Sequence, residues 1–169
     1  MLTSKKVVNA INKQIGNEFG ASLQYVAIAA YFSGEALPQL AEHFFQQAAE
    51  ENDHAMRFIK YVTDAGGQVV IPTIAAPQPT FQNAEEAVQL SLDQEVEVTK
   101  QINALVELAR SENDYITNNF LQWFLTEQLE EVSSMDTLLK IVQRGAANLL
   151  SVEEHLARVG VKRAGIGEH

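Results

Sequence analysis

Hydrophobic residues recur every three or four positions along four long stretches of the chain. This spacing is typical of amphipathic helices that bury one face. Glycine, proline and polar residues separate the stretches, and a shorter apolar stretch follows near the carboxyl end. The pattern predicts helices over about residues 4–33, 38–65, 83–110, 113–144 and 148–158, with a frayed tail over 160–169.

The segment between the second and third predicted helices, residues 66–83, contains three prolines and hardly any helical signal. A structureless connection of this length is uncommon inside a compact domain. It is expected if the two helices are parallel, because about eighteen extended residues reach about 60 Å and a helix of about 28 residues spans about 42 Å. We therefore expect one all-α domain over residues 1–169, a four-helix bundle with a long crossover between helices two and three and a short fifth helix. A loose loop between antiparallel helices is the alternative.

Each long helix carries polar residues at the middle of its otherwise apolar stripe. An unpaired carboxylate in apolar surroundings costs several kcal/mol, and a cluster of carboxylates cannot all ionise together. The lysines and arginines nearby fall off the stripes, so protons or bound metal ions have to compensate. A single glutamate in a stripe has a simpler explanation, a helix edge turned to solvent. The polar residues concerned are Glu18, Glu51 with His54 beside it, Glu95, and Gln128 with Glu131.

The types of these side chains indicate which metal they suit. Several carboxylates with one imidazole and no thiolate suit divalent iron, manganese or zinc, with a preference for iron or manganese. Glu51 and His54 are three residues apart, so they share a helix face and can hold the same ion. Together with Glu18 and Glu95 on neighbouring helices, they match the di-iron carboxylate arrangement known for helical bundles.

Composition and charge exclude several other classes of protein. The chain is 46% apolar and 20% charged, which is ordinary for a folded protein. Its net charge of −10 argues against nucleic acid as a partner. The absence of cysteine excludes disulfides, iron–sulfur clusters and thiol catalysis. No apolar run reaches the length of about 18 residues that a membrane span needs, and no signal core follows the first lysines, so we expect a cytoplasmic protein.

Three segments identify a family. They are Asn-Glu-Phe at 17–19 followed by Tyr25, Ala-Glu-Glu-Asn-Asp-His-Ala at 49–55, and Phe-Leu-Gln-Trp-Phe-Leu-Thr-Glu-Gln at 120–128. With these segments the chain resembles the non-haem bacterial ferritins over about residues 4–158. The resemblance implies a ferritin-like bundle and a homo-oligomeric shell of 24 subunits that stores iron. It also implies a ferroxidase that oxidises Fe(II) with O2 or H2O2 and deposits a ferric oxyhydroxide mineral.

The resemblance also implies the ligands of a two-iron centre. Glu18, Glu51 and His54 correspond to the ligands of one iron. Glu51 corresponds to a bridge to the second iron, which Glu95 holds. The residues close to that second iron are Gln128 and Glu131.

Further residues correspond to accessory positions of the family. Tyr25 matches the tyrosine beside the centre, which is a donor of an extra electron. Trp123 is similarly placed, and a packed core aromatic is the alternative interpretation. A third iron site faces the storage cavity in prokaryotic ferritins, and a solvated acidic face is its alternative here. The residues that match the third site are Glu50, Glu127 and Glu130, with Glu131 shared.

The chain departs from the haem-containing relatives at two places. Asn52 stands where bacterioferritins have a haem-ligating methionine, so we expect no haem. Gln128 and Glu131 replace a second Glu-x-x-His motif, so we expect the second iron to be held more loosely. The fifth helix is expected to pack around four-fold axes of the shell, or alternatively onto its own bundle. The remaining histidines are expected at the surface, namely His43, His155 and His169.

Two other functions remain open from the sequence. One is a di-iron or mixed iron–manganese oxidase of an organic substrate, which needs a pocket beside the metals, whereas aromatic residues such as Phe58 and Phe124 fill the stripes there. The other is a helical scaffold in which the polar layer only sets the register of the helices.

Overall fold

The computed structural model describes residues 1–161, and within this range the chain forms five helices and no strand. The predicted all-α class is confirmed. Most of the predicted tail, residues 162–169, lies outside the described range. No helix of the described range is long and apolar enough to cross a bilayer. The helices are α1 (Lys5–Gly34), α2 (Pro38–Asp64), α3 (Ala84–Ser111), α4 (Tyr115–Arg144) and α5 (Leu149–Val159).

Side-chain caps define the starts of three long helices. The hydroxyl of Ser4 accepts a hydrogen bond from the backbone N–H of Val7 at the start of α1. Asn83 caps α3 and Asp114 caps α4 in the same way, through the N–H groups three residues further on. Such caps satisfy backbone donors that have no partner within the helix.

The start of α2 is capped by a side chain of α5, which is distant in the sequence. Its N-cap residue, Leu37, makes no side-chain cap, but the buried carboxylate of Glu153 in α5 accepts from the N–H groups of Gln39 at 2.7 Å and Leu40 at 3.1 Å. Val152 of α5 joins the apolar core of the same chain. Within the described chain, α5 therefore packs onto the end of its own bundle.

Contacts between helices establish their directions. Phe58 of α2 stacks on Phe124 of α4 with a centroid distance of 4.1 Å, and Tyr61 stacks on Phe120 at the same distance. Residue numbers rise along α2 as they fall along α4, so these two helices are antiparallel. The pairs Gln128–Glu95 and Gln143–Glu85 show that α3 is also antiparallel to α4. Helices α2 and α3 are therefore parallel, and the crossover travels along the bundle.

Two side-chain amides of α1 hold the crossover against the bundle. Asn12 donates to the carbonyl of Gln68 and accepts from the N–H of Val70, and Gln24 bonds both backbone groups of Gln78. Both amides are buried, although neither stands on the apolar stripe. The crossover is thus an attached strap, and the alternative of a loose loop between antiparallel helices is wrong.

The apolar core consists of two clusters at opposite ends of the bundle. One includes Phe32, Phe44 and Met135, and the other includes Ile15, Phe58 and Phe124. The polar residues predicted from the sequence occupy the interval between the clusters on all four long helices. The fold therefore encloses a polar layer between two apolar halves.

The close approach of the crossover to α1 generates a prediction for two glycines of that helix. A Cβ added to Gly16 would lie 2.3 Å from Cγ of Pro72, whereas one added to Gly20 would find its nearest neighbour, Ile74, at 3.7 Å. Alanine favours a helix over glycine by about 1 kcal/mol, and overpacking costs about 1–3 kcal/mol. We expect Gly20→Ala to raise the midpoint of thermal unfolding and Gly16→Ala to lower it. Equal midpoints for the two variants would contradict this packing.

Candidate metal centre

Six polar side chains of the interior converge between the two apolar clusters. Each of them is at most 3% exposed to solvent. Helix α1 supplies one carboxylate, α2 a carboxylate and an imidazole, α3 one carboxylate, and α4 an amide and a carboxylate. The residues are Glu18, Glu51, His54, Glu95, Gln128 and Glu131.

Five of these side chains, together with the neighbouring Glu127, form three groups of three potential ligands. Within each group the ligand atoms lie within 4.8 Å of one another. Glu51 belongs to two groups, so it lies between two potential metal positions. His54 and Glu131 are shared with the third group, which also contains Glu127. The groups are Glu18–Glu51–His54, Glu51–Glu95–Glu131 and His54–Glu127–Glu131.

Helix geometry accounts for the pairing of ligands on α2. The i, i+3 spacing places both side chains on one face. His54 Nδ1 lies 3.2 Å from Oε2 of Glu51, and its other nitrogen, Nε2, lies 3.8 Å from Oε1 of Glu127. The imidazole thus stands between two carboxylates of different helices.

Glu95 is held by hydrogen bonds to both of its carboxylate oxygens. The hydroxyl of Tyr25 donates to Oε1, and the amide of Gln128 donates to Oε2 at 3.2 Å. The same amide nitrogen lies 3.1 Å from the hydroxyl oxygen of Thr99. These bonds fix the orientation of Glu95.

Two other carboxylate oxygens have no donor. Glu18 Oε1 accepts from the amide of Gln14 at 2.8 Å, but Glu18 Oε2 and Glu51 Oε1 are buried and receive no hydrogen bond from the described residues. Leaving a buried charged acceptor unsatisfied costs more than the 1–3 kcal/mol typical of a neutral group. A cation between these oxygens would compensate, and hard oxygen donors with one imidazole suit divalent iron. The donor set therefore fits iron.

Burial and mutual repulsion change the protonation of the carboxyls. Burial raises the pKa of Glu51 well above its ordinary value, and the charges of Glu95 and Glu18 add to the effect. Burial also raises the pKa of Glu95, although the hydrogen bonds from Tyr25 and Gln128 oppose it. In the metal-free protein, part of this layer therefore holds protons that a bound cation can displace.

Glu131 and His54 show the same tendency to keep a proton. Burial, followed by the charges of Glu95 and Glu51, raises the pKa of Glu131 to about 9. Burial lowers the pKa of His54, but the bond to Glu127 and the charges of the surrounding carboxylates outweigh it, so its pKa is raised overall.

The structure separates the residues predicted for a third site. Glu127 is close to His54 and Glu131, as described above. Glu50 and Glu130 are half-buried, and within the described range they belong to none of the three groups. Of the four predicted residues, the structure brings together Glu127 and Glu131.

Tyr25 and Trp123 occupy different environments beside the layer. Tyr25 is fully buried, and burial followed by the charge of Glu95 raises its pKa well above the ordinary value. The Trp123 ring lies 5.5 Å from the ring of His54 and carries the guanidinium of Arg57 3.8 Å above its centroid. Trp123 is 37% exposed and also packs edge-on against Phe124, with ring centroids 4.9 Å apart, so it lies at the edge of the core.

Three predicted histidines and two polar side chains beside the site remain. His43 and His155 are half-buried, and His169 lies outside the described residues. Gln14 and Thr99, which bond the site residues, were missed by the sequence reasoning. Gln14 is four residues before Glu18, and this i, i+4 relation is the signal that could have found it.

The raised pKa values predict how the stability of the metal-free protein depends on pH. A carboxyl whose pKa is higher in the folded state contributes stability at low pH that is lost as the pH rises through the folded value. For Glu131 this interval runs from 4.5 to about 9. With metal chelated, we expect the midpoint of thermal unfolding to fall across this interval.

Two variants test the cause of this pH dependence. Glu131→Gln removes the ionisable group and should flatten the decline. Glu107→Gln, at an exposed position on α3, should leave the decline unchanged. A Glu131→Gln profile that overlays the wild-type profile would refute the assignment.

Comparisons with known proteins show which family the chain resembles. The model of the family described as Ferritin-like domain matches residues 8–145. Ferritin BfrB of Mycolicibacterium smegmatis is 47% identical over 148 residues, which cover 88% of this chain and 82% of that protein. A bacterial non-heme ferritin of Staphylococcus aureus is 38% identical over 143 residues, covering 85% and 86% of the two chains.

A solved structure has the same fold. The open-pore ferritin of the archaeon Archaeoglobus fulgidus superimposes with a TM-score of 0.89 at 32% identity, covering 92% of this chain and 98% of that one. The family match, the identities and the superposition each extend over most of the chain, and it therefore belongs to the ferritin family of iron-storage proteins.

Proposed function

We propose that the protein is a ferroxidase that oxidises Fe(II) at the polar layer and stores the product as ferric oxyhydroxide. Two Fe(II) ions each give up one electron, and O2 takes both electrons with two protons to become H2O2. H2O2 can replace O2 as the oxidant, taking two electrons and two protons to become water. Each Fe(III) then leaves the site and reacts with two water molecules, giving FeOOH and three protons.

One observation carries this proposal. Five carboxylates and one imidazole from four helices lie in two adjoining groups and a third that shares members with both. One oxygen each of Glu18 and Glu51 receives no hydrogen bond from the described residues. Divalent ions neutralise such a cluster, and two metals held side by side can deliver two electrons to one oxidant. The aromatic packing of Phe58 and Phe124 beside His54 leaves little room for an organic substrate.

The geometry supports distinct roles for the two halves of the centre. Glu18, Glu51 and His54 hold one iron, and Glu51 bridges to a second iron bound by Glu95 and Glu131. Gln128 already donates to Glu95, so its contribution is to orient that ligand. Its neutral amide also makes the second position weaker, which favours release of the product.

Accessory positions complete the proposal. The hydroxyl of Tyr25 donates a hydrogen bond to Glu95. In this proposal Tyr25 supplies a further electron to the oxidant. Glu127 with Glu131 forms a third iron position next to His54, and Glu50 and Glu130 extend it as an acidic surface toward the stored mineral. We expect no haem, because Asn52 is exposed and offers no thioether.

The proposed shell is a homo-oligomer of 24 subunits in the cytoplasm, without a membrane or nucleic-acid partner. Large apolar side chains on the exposed sides of the adjacent helices α1 and α2 support assembly. They are 42–50% exposed in the single chain, and isolated soluble domains seldom expose many such residues together. These side chains are Leu23, Val26, Phe45 and Met56.

Removal of the bridging ligand tests the ferroxidase assignment. On addition of Fe(II) in air, wild-type protein should give a rapid phase of ferric absorbance followed by slow accumulation. Glu51→Ala should lose the rapid phase, with an initial rate at least about tenfold lower. The exposed variant Glu107→Ala should behave like wild type, and rapid oxidation by Glu51→Ala would rule out this centre.

Light scattering coupled to size-exclusion chromatography tests the shell. A particle of about 450 kDa is expected, which is 24 times the chain mass of 18.7 kDa. After iron loading, the same particle should retain hundreds of irons, as a storage function requires. A stable monomer or dimer as the sole species, or a particle that retains no iron above buffer, would favour a scaffold.

A further inference from the structure

Gln14 is a buried amide next to the candidate metal centre that is not itself a metal ligand. It lies on α1 one turn before Glu18 and is 2% exposed. Its Nε2 donates to Oε1 of Glu18 at 2.8 Å and to Oε1 of Gln101 at 3.2 Å. Its own Oε1 accepts from Nδ2 of Asn17 at 3.0 Å. Both ends of the amide are therefore engaged.

The chemistry of its partners permits a single orientation of this amide. A carboxylate only accepts hydrogen bonds, so the nitrogen of Gln14 has to face Glu18. The reversed amide would bring two oxygens within 2.8 Å of each other. Asn17 donates to the opposite end and holds the same orientation.

The two glutamates at opposite ends of the centre are supported unequally. Glu95 receives donors on both oxygens, from Tyr25 and Gln128. Glu18 receives a donor on Oε1, and its buried Oε2 receives none from the described residues. The Gln14 amide thus occupies one oxygen of Glu18 and leaves the other available to a cation.

We propose that Gln14 is a positioning residue that fixes the carboxylate of Glu18 so that Oε2 alone is presented to iron. This inference rests on the proposed function of the centre. Outer partners of metal ligands typically contribute 10–100-fold to metal affinity, because they hold the ligand in its binding orientation. Loss of the amide frees the carboxylate to rotate within the layer and weakens the position formed with Glu51 and His54.

Titration with Co(II) in the absence of oxygen separates positioning from general packing, because no oxidation then accompanies binding. Gln14→Met keeps the side-chain length and removes the donor. Gln24→Met is the matched control, since Gln24 is also a buried amide on α1 but bonds the crossover. We expect Gln14→Met to weaken the tighter Co(II) site 10–100-fold and to change its visible absorption bands. Gln24→Met should lower thermal stability while keeping wild-type affinity and spectrum.

Each outcome has a defined meaning. Wild-type affinity and spectrum in Gln14→Met overturn the positioning role, as does an equal loss of affinity in Gln24→Met. If Gln14→Met does not fold, Asn17→Ala decides the question, because loss of that donor releases the Gln14 amide and should weaken Co(II) binding several-fold. Unchanged binding by Asn17→Ala then overturns the proposal. Wild-type protein that binds no Co(II) overturns the proposed function itself.

Discussion

The structure depends on the energetic cost of burying several carboxylates together. Glu18, Glu51 and Glu95 are each at most 1% exposed, between apolar clusters that exclude water. An ionised carboxylate in such surroundings costs several kcal/mol unless it is paired. Retained protons and the bonds to Glu95 relieve part of this cost. The rest is the part that a bound divalent cation would offset in the proposed function.

The two apolar clusters make this cost tolerable because they fix the helices on both sides of the layer. The stacks of Phe58 on Phe124 and of Phe32 on Phe44 lie on opposite sides of it. Side chains on helices that are packed in this way have little freedom to move apart when their charges repel. The candidate ligand atoms of each group thus stay within 4.8 Å of one another.

Much of this arrangement could be predicted from the sequence, because deviations from a periodic pattern are informative when they coincide. Glu18, Glu51 and Glu95 interrupt apolar stripes at similar depth, and this is sufficient to predict a common layer. The long proline-containing segment likewise predicts parallel helices, since a shorter connection would suffice for antiparallel ones.

The contacts that sequence reasoning missed are those made by side chains beside the stripes. Asn12 and Gln24 have the positions of surface residues until the crossover covers them. Trp123 stays 37% exposed and contacts Arg57 of α2. Periodicity along one helix carries no information about such neighbours, which are distant in the sequence.

The bond between Glu153 and the first turn of α2 has a consequence for engineering. Glu51 and His54 stand on α2, so α5 takes part in supporting the helix that carries them. A truncation that removes residues 149–159 leaves the amides of Gln39 and Leu40 without their acceptor. A cargo domain is therefore better appended after this segment than substituted for it.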